Sequence, residues 1–121
     1  MKDMTVMECY EAMGGDYEDV MRRLRTDERV KKFLLKVLDD KSFQLLTDSM
    51  EARNMDEAFR AAHTMKGICQ NLSLTRLFGS SNELSEKLRD NREYSPELEE
   101  MVAKVKEDYD ITIASIANLK G

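Results

Sequence analysis

The chain has 121 residues, of which 41% are hydrophobic and 36% charged, and this is enough apolar material for one globular domain. Its net charge of −5 argues against nucleic acid and anionic membranes as general partners, because both attract basic surfaces. No apolar run approaches the roughly 20 residues of a membrane span, and the N-terminal residues lack the apolar region of a signal peptide.

The first predicted elements are two short helices, at residues 17–25 and 27–39. The first follows the break at Gly14-Gly15, and the second begins after Thr26, whose side chain can cap its first turn. No helix is predicted before Gly14. Apolar residues recur with the i, i+3, i+4, i+7 period of an amphipathic helix. The two apolar faces consist of Tyr17, Val20, Met21 and Leu24, followed by Val30, Phe33, Leu34, Val37 and Leu38.

Four further helices are predicted between residues 40 and 118. The first opens at Asp40 or Ser42 and the second at Asn54. The last opens at Ser95, with a proline in the first turn after the serine cap. Their apolar faces are, in order, Phe43, Leu46 and Met50; Met55, Ala58, Phe59, Ala62, Met65, Cys69 and Leu72; Leu74, Leu77, Phe78, Ser81, Leu84 and Leu88; and Leu98, Met101, Val102, Val105, Tyr109, Thr112 or Ile113, and Ile116.

No alternating strand pattern interrupts these helices, and the connections between them are short. Helices of about 12 to 24 residues that are joined by short loops favour an antiparallel up-down arrangement. The expected fold is therefore all-α, an antiparallel up-down four-helix bundle with additional short N-terminal helices. We expect a single domain over residues 1–121, in which 1–39 cover one end or side of the bundle and 40–118 form it.

The stretch AAHTMKGICQNLSL, residues 61–74, contains the only histidine of the chain, His63. On a helix its side chain lies roughly 130° from the middle of the apolar face, so it should point to solvent. Lys66 and Gly67 follow at the spacings that make surface neighbours. An exposed nucleophilic ring, a nearby cation and cleared space are what a phosphoryl acceptor needs. A surface histidine beside a surface lysine, without any reaction, fits the same spacing.

The segment AAHTMKGICQNLSLTRL resembles the signature of the histidine phosphotransfer (HPt) domain family, Ala-His-x-hydrophobic-Lys-Gly. Residues 14–40 resemble the N-terminal part of bacterial members, and residues 82–90 resemble the helix that follows the histidine helix. The resemblance spans about residues 5–118. It implies a four-helix bundle with extra N-terminal helices.

The resemblance also implies a role for each residue of the motif. His63 would accept a phosphoryl group from the aspartate of one receiver domain and pass it to a second receiver. Lys66 would be the charge partner of the phosphate, and Gly67 would leave steric clearance. The implied partners are the receiver domains of a hybrid sensor histidine kinase and of a response regulator in a two-component phosphorelay.

Further residues are secondary candidates for orienting the imidazole. These are Gln70, two turns after His63, and Ser85 and Arg89 on the following helix. Family members commonly have glycine ten residues after the histidine, where this chain has Ser73. The geometry of that connection is therefore left open, although serine is a good cap for the helix that follows.

The sequence contains no glycine-rich phosphate loop and no nucleotide-binding signature. We therefore expect a phosphocarrier rather than a kinase, without a cofactor of its own, and with Mg²⁺ supplied by the partner receiver. One histidine and two distant cysteines, Cys9 and Cys69, offer no ligand set for a metal site. We expect a cytoplasmic monomer with reduced thiols and without nucleic-acid or membrane partners.

Two alternative interpretations remain open at this point. The chain could be a non-catalytic helical adaptor in which His63 is incidental. It could also be the HPt domain of a larger sensor or chemotaxis-type kinase. The methionine at position 1 and the end at Gly121 favour a free-standing protein.

Overall fold

The computed structural model describes residues 3–119, which form seven α-helices. Within that range the only extended pairing is an isolated parallel bridge between Met4 and Leu119, so the predicted all-α fold is confirmed. None of these helices is long and apolar enough to cross a membrane. Met1 and Gly121, on which the expectation of a free-standing protein depends, lie outside the described residues. The helices are α1 Val6–Met13, α2 Tyr17–Leu24, α3 Asp27–Val37, α4 Ser42–Glu51, α5 Met55–Leu72, α6 Thr75–Asp90 and α7 Pro96–Ala117.

Helices α4 to α7 form the antiparallel up-down bundle. α5 packs between α4 and α6, and α6 packs against α7. α4 closes the bundle against α7: the Phe43 and Tyr109 rings stack with centroids 4.4 Å apart. At the other end, Arg53 Nη1 lies 3.5 Å from Glu99 Oε2. Because the partners occur in reverse order along the two segments, α4 and α7 run antiparallel.

The bundle core consists of leucine, methionine, alanine and valine side chains from all four helices. Leu46, Leu84, Leu88 and Val105 are fully buried, and burying a side chain of this kind contributes about 1.5–3 kcal/mol. Most of the predicted apolar faces therefore pack as expected.

Helix α7 differs from the prediction, because its buried side includes polar residues while Met101 and Val102 are only partly buried. Asp108 is buried, with its carboxylate 3.6 Å from Lys104 Nζ. α7 is contacted by α1, α3 and α6. A helix packed from several sides buries a wider face than a simple amphipathic pattern predicts.

Helix α1 was not predicted. It begins with a capping box, in which Glu8 N donates to Thr5 Oγ1 and Thr5 N donates to Glu8 Oε1. It ends at Gly14, whose φ of 69° is readily adopted by glycine. The Tyr10 hydroxyl donates to the Leu72 carbonyl at 2.7 Å, so α1 is joined to the end of α5. Its buried face is Val6, Cys9, Tyr10 and Met13.

Three of the other helices have a side-chain cap at their N-cap residue, namely α2, α3 and α5, and in α2 Asp16 accepts from Asp19 N. Thr26 accepts from Arg29 N, as predicted, and Asn54 accepts from Glu57 N. Asp40 accepts from Ser42 N at 2.9 Å, just before α4. Ser95 occupies the N-cap position of α7, but its side chain makes no capping bond. Of the two features that predicted the start of α7, the proline in the first turn is therefore present and the serine side-chain cap is not.

Both cysteines are free and buried. Burial raises the pKa of the Cys9 thiol to about 11 and that of the Cys69 thiol to about 12. Because the thiolate is the reactive form, these side chains act as small core residues at neutral pH.

Ser73 occupies the connection between α5 and α6 with φ 56° and ψ 41°, the left-handed conformation that glycine favours. Its hydroxyl does not cap α6, whose N-cap is Leu74, so that expectation was wrong. The hydroxyl instead donates to Asp19 Oδ2 at 2.6 Å. This hydrogen bond is the main cause that lowers the pKa of Asp19. Ser73 thereby joins α2 to the α5–α6 turn.

A pair of substitutions at Ser73 separates the backbone strain from the hydroxyl contact. Ser73→Ala removes the hydrogen bond and keeps the strained conformation, so it should lower the melting temperature. Ser73→Gly also removes the hydrogen bond but relieves the strain, and should be about 1 kcal/mol more stable than Ser73→Ala. Both should raise the pKa of Asp19, measured by NMR titration. Equal stability of the two variants would contradict the left-handed assignment.

Candidate functional site

His63 lies near the middle of α5, and its side chain is exposed. The same helix buries Ala58, Ala62 and Met65 on its opposite side, against the bundle core. The imidazole therefore faces solvent in the centre of a long, well-packed helix. A site built on such a helix is held more rigidly than one on a loop.

The ring of Phe59, one turn before His63, stacks on the imidazole with centroids 5.7 Å apart and an interplanar angle of 25°. Phe59 was predicted to belong to the core face, but it is only partly buried. The i, i+4 spacing of the two rings brings them together on the helix surface. The Phe59 ring also contacts the guanidinium of Arg92, whose central carbon lies 4.1 Å from the ring centroid.

Lys66 leans towards α6, where its ammonium lies 3.8 Å from Glu86 Oε2. Arg89 Nη2 lies 3.4 Å from the same oxygen, and the Arg89 guanidinium is 6.0 Å from the Phe59 ring. One carboxylate is thus shared by two cations near His63. The cluster carries a net positive charge in a protein whose overall charge is negative, and it would attract an anionic group.

Gly67 faces open space. A Cβ built at this position would have no neighbouring atom within 4 Å, so close helix packing does not require glycine here. Gln70 is exposed, and its backbone carbonyl accepts a hydrogen bond from Arg23 on α2. The structure therefore connects Gln70 to α2, and it shows open space beside the histidine on the Gly67 side.

Ser85 is fully buried, and its hydroxyl has no hydrogen-bond partner among the described residues. It lies on the side of α6 that also buries Leu84 and Leu88. Ser85 therefore makes no hydrogen bond to the imidazole in this structure. Of the three secondary candidates, Arg89 is the one that contacts the groups around His63.

A groove of about 460 Å³ lies between α2, α3 and the C-terminal half of α5. The groove reaches α5 at Ile68 and Asn71, which follow His63 by one to three helical turns. Its walls are largely apolar, with two basic side chains. The lining comprises Arg23, Leu24, Phe33, Lys36, Val37, Asp40, Ile68, Asn71 and Leu72.

The chemistry available at this site is that of one nucleophilic ring with cations beside it. In residues 3–119, no three side chains of His, Cys, Asp or Glu lie close enough to hold a metal ion. The geometry therefore provides an exposed acceptor nitrogen, positive charge for an anion and room for a partner to approach.

The family model of the Hpt domain matches residues 30–110, which is more than half of the 121-residue chain. The chain belongs to the Hpt domain family. The matched range runs from α3 into α7 and contains the His63 motif, so the resemblance to this family is confirmed. α1 and α2 lie outside the match. No curated protein and no solved structure is significantly similar to this chain.

Two residues of the candidate site had no individual signal in the sequence. Glu86 and Arg92 are 23 and 29 residues after His63, and only the packing of α6 on α5 brings Glu86 to Lys66 and Arg92 to Phe59. Phe59 could have been found, because an aromatic residue four positions before an exposed histidine lies on the same helix flank.

Proposed function

We propose that this Hpt domain is a cytoplasmic phosphocarrier of a multistep phosphorelay. His63 accepts a phosphoryl group from the receiver of a hybrid sensor histidine kinase and transfers it to the receiver of a response regulator. The observation that carries the proposal is the sole histidine, exposed on α5 next to the open space at Gly67. Membership of the Hpt family supports the same chemistry.

The transfer step is a displacement at phosphorus. The lone pair of an unprotonated imidazole nitrogen attacks the phosphorus of the receiver's aspartyl phosphate, and a P–N bond forms. The P–O bond to the aspartate breaks, and its electron pair remains on the receiver carboxylate. The second transfer reverses these events with another aspartate as acceptor. The receiver supplies Mg²⁺ and its ligands, which neutralise charge on the phosphoryl oxygens.

The side chains of the Hpt domain contribute positioning and charge to this step. Lys66 and Arg89 share Glu86 in the resting protein, and a phosphoryl group that binds near His63 would compete with this carboxylate for the two cations. The groove at the C-terminal half of α5 offers apolar surface one to three turns from the reactive ring. A receiver that covers His63 would bury part of this surface, and buried apolar area stabilises a complex.

A non-catalytic adaptor is the second candidate, because several large apolar side chains are exposed and could bind a partner without any reaction. They are Met7, Phe33, Leu35, Leu38 and Leu45. Incubation with receivers phosphorylated on aspartate separates the two functions. A phosphocarrier acquires acid-labile, base-stable phosphate and the receiver loses it, whereas an adaptor binds a receiver and acquires no label.

Lys66→Ala is expected to slow phosphoryl uptake several-fold, and Glu86→Gln is expected to accelerate it modestly. The alanine variant removes a cation beside His63, and the glutamine variant frees two cations from a shared carboxylate. A partly exposed charge contributes about 1 kcal/mol or less, and the effect should weaken with added salt. Rapid-quench transfer kinetics at two ionic strengths provide the measurement. Unchanged rates at low salt would remove Lys66 from the mechanism.

A further inference from the structure

We propose that Phe59 is a positioning residue that holds the His63 ring in its reactive orientation, and that Arg92 holds Phe59. This inference depends on the proposed function of His63 as the phosphoryl acceptor. It assigns a role to two residues outside the histidine motif.

The first observation concerns what holds the imidazole. Within residues 3–119 the His63 side chain makes no hydrogen bond and no ion pair, and its ring stacks on Phe59. An exposed imidazole without a hydrogen bond can turn about its last side-chain bond, which has a broad rotational preference. The stack restricts that rotation, because the two rings are inclined by only 25°. The Phe59 ring therefore sets the direction in which the ring nitrogens point.

The second observation concerns what holds Phe59. The Arg92 guanidinium lies 4.1 Å from the centroid of the Phe59 ring. Arg92 is itself fixed at two points, since Nε donates to the Leu88 carbonyl and Nη1 to Asp56 Oδ1, each at 2.8 Å. Arginine makes such stacked contacts well because its guanidinium is planar and delocalised.

The order of these groups along α5 places the phenyl ring between the two others. Asp56, which binds Arg92, lies three residues before Phe59, and His63 lies four residues after it. Side chains on a helix lean towards its N-terminus, so the imidazole leans over the Phe59 ring. The Phe59 ring thus contacts both the guanidinium of Arg92, which follows α6, and the imidazole of His63.

This arrangement matters for transfer because displacement at phosphorus requires an aligned lone pair. Preorganised alignment of reacting groups increases a rate without a new chemical group. Loss of the Phe59 ring should therefore slow the transfer step while receiver binding is largely kept.

The test compares Phe59→Leu with Phe59→Tyr and with Phe78→Leu as a matched control. Phe78 is also partly buried, on α6, so it reports the effect of losing a phenyl ring elsewhere in the bundle. His63 is the only histidine, so its ring C–H resonances are assigned directly in an NMR spectrum. A phenyl ring stacked on the imidazole displaces these resonances through its ring current, so their positions report whether the stack is present in each variant.

We expect Phe59→Leu to move the His63 ring resonances and to slow uptake about tenfold at saturating phosphorylated receiver. Phe59→Tyr keeps the stack and should retain both the resonances and the rate. Arg92→Lys, which keeps the charge and loses the planar group, should give a smaller change of the same kind. Phe78→Leu should leave the resonances and the rate unchanged.

If the wild-type protein takes up the phosphoryl group and Phe59→Leu does so at the same rate, the inference is overturned and the proposed function stays intact. A rate loss in Phe78→Leu as large as that in Phe59→Leu would also overturn it, by showing that bundle stability is responsible. A wild-type protein that takes no label would overturn the proposed function, and the positioning role with it.

Discussion

The substitution His63→Gln is expected to abolish phosphoryl uptake completely and to leave the free energy of unfolding within about 0.5 kcal/mol of the wild-type value. His63 is the only histidine in the chain, and the amide of glutamine has no comparable nucleophilic lone pair. The side chain is exposed on α5, so its replacement removes little packing. The expected result is a folded protein without acceptor activity.

The measurement is the mapping of acid-labile, base-stable phosphate after incubation with a phosphorylated receiver. The matched control is the double variant His63→Gln, Gln70→His, which moves the sole imidazole two turns along α5. It keeps an exposed histidine, but Lys66 and Gly67 then precede the ring by one turn instead of following it, and the residue four positions after it is Leu74 and not glycine. It should therefore not restore uptake. Label retained in His63→Gln would show that another residue is the acceptor.

Gly67→Gln is expected to slow phosphotransfer by at least about tenfold without unfolding the bundle. A side chain at this position leans back over the preceding turn, and so towards His63. Apart from the adjacent residues and the backbone of α5, no atom lies within 4 Å of a Cβ built at Gly67, so the space it would fill is solvent in the free protein. A glutamine there obstructs the approach of a receiver rather than the packing of the helices.

Gly67→Ala separates obstruction from stability. Alanine should stabilise α5 by up to about 1 kcal/mol, because the position is interior to a helix and sterically open. Gly79 on α6 is the matched control, since a Cβ built there also has no neighbour within 4 Å. Gly79→Ala should stabilise the protein similarly, and Gly79→Gln should leave transfer unchanged. A lower melting temperature for Gly67→Ala would mean that the glycine serves packing.

Local patterns in the sequence were enough to predict the helical fold and the exposure of His63. Helical periodicity depends on residues within two turns, so the exposure of His63 follows from its own helix. The neighbours Lys66 and Gly67 belong to the same local pattern. The buried residues of α1, from Val6 to Met13, follow the same helical period. This helix could therefore also have been predicted from the sequence, although it was not.

Only the tertiary structure decided which side chains from other helices reach the site. The register of α6 on α5 brings Glu86 to Lys66 and Arg92 to Phe59, and the same register turns Ser85 into the core. The Ser73 hydroxyl bonds Asp19, 54 residues away. These contacts depend on how two helix surfaces interlock, which the spacing of residues along one helix does not determine.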